Sequence, residues 1–196
     1  RLACRPRDLG DGLGFCRADS WRHPPALVVL HWLLGGGLIV LGLLMGCVSL
    51  ERLPNSDPAK LDSLRGHMIN GAIIGCLMVV RLIFRVCTQR PPAVATGMAW
   101  TDAVGPWSHR ALYGLVFATV ASGIALAVNA DLPSNVFGGS GKPLPATFDG
   151  RWMRVLHAIA ATLLMALIVL HVAAVFWHHA VRRNGLLRRM GWSRER

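Results

Sequence analysis

Apolar residues in this chain fall into four long runs, and the segments between and beyond them carry nearly all of its charge. The runs extend from about 26 to 50, 67 to 87, 108 to 129 and 154 to 178. The first holds no charged residue, and the second has Arg81 and Arg85 near its end. A helix that crosses the hydrocarbon layer needs about 20 residues, so each run predicts one membrane span. The pattern therefore predicts an all-α integral membrane four-helix bundle with up-down topology. A polar, basic segment at 1–25 precedes the bundle at 26–180, and a basic tail at 181–196 follows it. The first segment lacks an apolar core and does not read as a signal peptide. The Pro- and Gly-rich stretch Ala130–Arg151 reads as an external loop over the bundle. Gly71 and Gly75 have the spacing of close helix packing, a common pattern.

Charge then orients the bundle. With four spans both termini lie on one face. That face holds 15 basic residues: Arg1, Arg5, Arg7, Arg17, Arg22, Arg81, Arg85, Arg90, Arg110, Arg182, Arg183, Arg188, Arg189, Arg194 and Arg196. The other face holds 6: Arg52, Lys60, Arg65, Lys142, Arg151 and Arg154. Cytoplasmic loops carry the excess of Lys and Arg, so both termini are expected in the cytoplasm. Trp21, Trp32, Trp100, Trp107, Trp152 and Trp177 fall near span ends, as interfacial aromatics do. A net charge of +11 could suggest nucleic-acid binding, but its placement between and beyond the spans suits membrane topology instead, and no nucleic-acid partner is expected. At 53% hydrophobic, 16% charged and a mean hydropathy of +0.44, the chain is unlike a soluble enzyme or a disordered protein. Its five cysteines form no CxxC pair and no CxxCH, which argues against a disulfide framework, a zinc ribbon and covalently attached haem.

The eight histidines carry the candidate chemistry. His157 and His171 lie about four helical turns apart in the last span. At about 100° per residue they share a face, and at about 1.5 Å per residue they lie roughly 21 Å apart in depth. His67 matches His157 at the outer depth, and His31 matches His171 at the inner depth to within about a turn. Two such pairs are what two six-coordinate haems stacked across a bilayer would need, since imidazole is a common axial ligand. One histidine near a membrane interface is usually a surface hydrogen-bonding group, but four on three spans at two matched depths are hard to explain by chance. His109 competes for the inner site; an interfacial or quinone-proximal role is favoured for it. His178 lies two turns past His171 on nearly the same face, yet His23, His178 and His179 read as a solvated basic interface.

Arg81 lies about four turns past His67 and shares its face at the inner depth. Pairing with a haem propionate and snorkelling to the surface are equal readings for it, and snorkelling is favoured for Arg85. No span contains Asp or Glu between its ends, so a carboxylate proton relay is not supported. Met68, Met78 and Met165 read as core filling.

Several motifs together resemble the bacterial cytochrome b-561 family, related to the cytochrome b subunits of nickel–iron hydrogenases. They are Val28-Val-Leu-His-Trp-Leu-Leu, Gly66-His-Met-Ile-Asn-Gly followed by Leu77-Met-Val-Val-Arg-Leu-Ile-Phe-Arg, His109-Arg-Ala-Leu-Tyr-Gly-Leu, Leu156-His-Ala-Ile-Ala-Ala-Thr, and His171-Val-Ala-Ala-Val-Phe-Trp-His-His with Asn184-Gly-Leu-Leu-Arg-Arg-Met. The resemblance covers about residues 26–192. It implies a four-helix dihaem membrane protein that passes electrons between quinone and another donor or acceptor. It also implies His31 paired with His171 and His67 with His157, in agreement with the depths. Leu156-His-Ala departs from the Trp-His-Glu expected there.

The expected function is that of a b-type dihaem cytochrome in the bacterial inner membrane. Two non-covalent haems would bind through His31, His67, His157 and His171, with Arg81 beside a propionate. Quinone and membrane lipid are the expected partners, and a redox partner protein and a homodimer are compatible with the sequence. Two rivals remain: a membrane-anchor cytochrome b subunit for a soluble dehydrogenase, and a transporter whose histidines bind a transition ion.

Overall fold

A computed structural model describes residues 24–88, 99–138, 144–145, 147–148 and 152–181. The segment expected at 1–25 and the tail expected at 181–196 lie almost wholly outside the described residues. Among the described residues, four helices are long and apolar enough to cross a membrane: α1 (Pro25–Leu50), α2 (Pro58–Cys87), α3 (Ala99–Asn129, apolar from Val104) and α5 (Trp152–Ala180). A short α4 (Leu132–Val136) lies between the last two. No strand occurs among the described residues.

α2 starts well before the expected position 67. Asp57 caps it, with Oδ1 accepting from the Ala59 amide at 2.8 Å, and Pro58 takes the first helical position. Lys60, Asp62 and Arg65 break the apolar run without breaking the helix. Its 30 residues span about 45 Å, the thickness of a bilayer with its headgroups, so the apolar run marked only the hydrocarbon part. The expected loop over the bundle is also partly helical. In α4, Leu132 and Val136 are buried against Leu64, Ala127 and Ala130.

Side-chain contacts show that neighbouring helices run antiparallel. Arg81 reaches the Leu27 carbonyl, Asn70 the Leu38 carbonyl, and Lys60 the Leu50 carbonyl, so α2 descends as α1 ascends. Gly75 approaches Val120, and Arg85 lies over the Tyr113 ring. His157 meets Thr119, and His171 meets His109. Gly75 fits the close-packing reading, because an added Cβ would lie 3.2 Å from Val120 Cγ1; a Cβ at Gly71 would meet nothing within 4 Å.

The core at mid-depth consists of Leu34, Ile39, Ile74, Met78, Val116 and Leu164. Leu164 stands midway in sequence between His157 and His171, so this apolar layer separates the two histidine levels. The outward faces carry large apolar side chains, among them Leu170 at 65% and Val169 at 62% exposed. In water such a surface would aggregate; in lipid it is the expected exterior. Met165 joins this exterior at 41% exposed, so only Met78 of the three methionines fills the central core, with Met68 partly buried at the α4 end. Met165 is turned about 100° around the helix from the buried Leu164, which takes it off the core-facing side.

Candidate histidine centres

α1 begins as an α-helix, passes through π-helical turns at Trp32–Leu38, and does so again at Met45–Leu50. Such widened turns recur at functional sites. The first follows His31, and the second contains Gly46, where an added Cβ would lie 3.5 Å from His67 Cε1. "Inner" denotes here the end of the bundle where α1 starts and α5 ends, and "outer" the opposite end.

At the outer level the rings of His67 and His157 stand 6.1 Å apart between centroids, with planes at 87°. At the inner level His31 and His171 are 6.4 Å apart at 68°. Imidazole nitrogen binds a metal at about 2.0–2.1 Å, and the ring centre lies about 1.1 Å beyond the nitrogen, so two trans imidazoles on one metal put their centroids about 6.3 Å apart. Both separations match that requirement. His109 stands 5.2 Å from His171, about 1 Å too close for a metal between the two rings.

Other features of the same levels fit a planar, metal-bearing ligand. His67 Nδ1 is buried without a hydrogen-bond partner, a costly state for a polar atom. His157 Nδ1 lies 2.9 Å from the Thr119 carbonyl and 3.3 Å from Ser122 Oγ, an arrangement that leaves Nε2 for a metal. Gly35 and Gly71 each follow a histidine by one helical turn, His31 and His67, and an added Cβ at either would meet nothing within 4 Å. Each level thus has open space at a glycine one turn past a histidine. Among the described residues, no cluster of three or more His, Cys, Asp or Glu side chains forms a metal-holding group, so the arrangement is one of pairs.

Arg81 does not snorkel. It is 8% exposed, and its Nη1 donates to the Leu27 carbonyl at 2.8 Å, one turn before His31. Arg85 is half-buried in the last turn of α2; its guanidinium carbon lies 5.1 Å from the Tyr113 ring centre, and that of Arg81 lies 5.9 Å away. Tyr113 escaped the sequence reading, although its position one turn past His109, on the same face of α3, was a signal. His178, expected at a solvated interface, is buried at 9% exposed, because it repeats the inward face of His171 two turns on. His179 is exposed, in keeping with that interface.

A family model described as prokaryotic cytochrome b561 matches residues 22–193. The chain is also 26% identical over 172 residues to cytochrome b561 homolog 2 of Escherichia coli (strain K12), covering 86% of this chain and 90% of that protein.

Proposed function

The chain belongs to the prokaryotic cytochrome b561 family, b-type cytochromes that serve electron transfer as multi-pass proteins of the bacterial inner membrane, and on that premise we propose that it is a dihaem electron carrier exchanging electrons with quinone. His31 and His171 ligate the inner haem, and His67 and His157 the outer one. Arg81 would hold a propionate of the inner haem, and both termini would face the cytoplasm. When bound, the haems supply reversible one-electron exchange between ferrous and ferric iron.

The protein's own residues do the rest. Two pairs of imidazoles separated by 6.1 and 6.4 Å are the observation that carries this reading. Thr119 and Ser122 orient the His157 ring from α3. Leu34, Met78, Val116 and Leu164 exclude water between the levels, keeping the path of low dielectric. The basic face opposite the external loop sets the orientation.

Purified protein should show low-spin b-haem spectra, with two haems per chain by pyridine haemochrome. His157→Ala should lose the outer haem and His171→Ala the inner one. A colourless protein overturns the reading, and either variant with both haems intact overturns the pairing.

A further inference from the structure

The inner level holds a polar cluster that axial ligation leaves unexplained. Arg81 and Arg85 come from α2, one turn apart, and both approach the ring of Tyr113 on α3, at 5.9 and 5.1 Å. The Tyr113 hydroxyl is buried and has no hydrogen-bond partner. The ion pairs among the described residues are Arg65 with Asp62 and Arg154 with Glu51; neither guanidinium of this cluster joins one. Arg81, at 8% exposed, satisfies one donor on the Leu27 carbonyl. Two neighbouring cations and an unused phenol donor, partly removed from water and without a carboxylate, make a site that is costly unless an anion fills it.

We propose that Tyr113, Arg81 and Arg85 form an anion clamp that takes a carboxylate of the inner haem, an assignment that rests on the dihaem reading above. Tyr113 follows His109 by one turn, and Arg81 touches α1 one turn before His31, so the clamp borders the inner histidines on two helices. Guanidinium matches a carboxylate with two parallel donors, and the phenol adds a third from another direction. A lipid phosphate shares this chemistry, but the burial of Arg81 and of the phenol oxygen favours an anion carried inside the bundle over one at its surface. A neutralised carboxylate near the iron favours the ferrous state, so the clamp raises the potential of the inner haem and leaves the outer one alone.

The test is potentiometric titration of the purified holoprotein and of Tyr113→Phe, which removes only the hydroxyl. The single-haem variant His157→Ala assigns the inner component. The inner midpoint should fall, the outer midpoint should stay, two haems should remain, and the propionate bending bands in resonance Raman spectra should move. If Tyr113→Phe does not fold, Arg85→Gln carries the same expectation. Unchanged inner potential and Raman bands, or equal shifts of both haems, would overturn the clamp. A shift seen in nanodiscs of anionic phospholipid but absent in zwitterionic ones would assign the site to a headgroup and likewise overturn it. Fewer than two haems in the unsubstituted protein would instead refute the dihaem reading.

Discussion

Nδ1 of His157 lies 2.9 Å from the carbonyl oxygen of Thr119. A carbonyl can only accept, so Nδ1 carries the proton and Nε2 keeps its lone pair. Ser122 Oγ, 3.3 Å from the same nitrogen, also lies 2.7 Å from the Ala118 carbonyl and 3.0 Å from that of Thr119, so it too is held by α3. The tautomer of a residue on α5 is thus set by the backbone of its neighbour, an arrangement typical of histidines that bind metal.

Gly123 makes that arrangement possible. A Cβ there would lie 3.0 Å from His157 Cε1 and 3.2 Å from Nδ1. Gly123→Val should push the ring off the Thr119 carbonyl and lower the haem content from two toward one, with loss in the outer component. Gly123→Ala should do the same more weakly. Pyridine haemochrome and difference spectra check this, and full haem content with an unaltered outer band in the valine variant would refute it.

His31 and His109 both approach His171, at 6.4 and 5.2 Å. Only the longer separation leaves space for a metal between rings. His31→Ala should therefore lose the inner haem, whereas His109→Ala should retain two low-spin haems. Haem stoichiometry of the two purified variants decides between them, and the opposite outcome would move the inner ligand to α3.

Much of this architecture was legible in the sequence. Span count and side-chain depth depend only on the constant rise per residue of a helix, so His67 with His157 and His31 with His171 could be placed without tertiary information. Polar helix ends were less legible, because α2 extends through Lys60, Asp62 and Arg65, which an apolar-run reading assigns to a loop. Rotational facing was hardest. Nothing local distinguishes Met165, on the exterior, from Met78, in the core. Arg85 turns onto Tyr113, and His178 turns inward, because a neighbouring helix offers a partner or a packed surface there.

Asn70 is a buried polar residue that ties α2 to α1. It is 6% exposed, and Nδ2 donates to the Leu38 carbonyl at 3.0 Å, where α1 leaves its first π-helical stretch. Hydrogen bonds between transmembrane helices contribute about 0.6 kcal/mol on average and about 1.7 kcal/mol at most. Asn70→Ala should cost an amount in that range in reversible detergent unfolding while leaving haem content unchanged. A loss well beyond that range, or loss of a haem, would show that Asn70 supports a ligand rather than a helix contact.

Two lysine and arginine contacts at the outer end should differ sharply in value. Lys60 is 7% exposed, and its Nζ donates to the carbonyls of Leu50, the last residue of α1, and of Leu53, three residues beyond it. A charged hydrogen bond of this kind is worth about 1.5–3 kcal/mol, and removing the donor leaves both carbonyls without it. Arg154 meets Glu51 at 3.0 Å, but their side chains are 36% and 61% exposed. An exposed pair contributes about 0–1 kcal/mol and weakens further with salt. Lys60→Met should therefore destabilise the bundle clearly more than Glu51→Gln in the same unfolding assay, and raising the salt should erase only the smaller effect. Equal losses would mean that the outer end is held by the surface ion pair, and that the lysine cap on α1 contributes little.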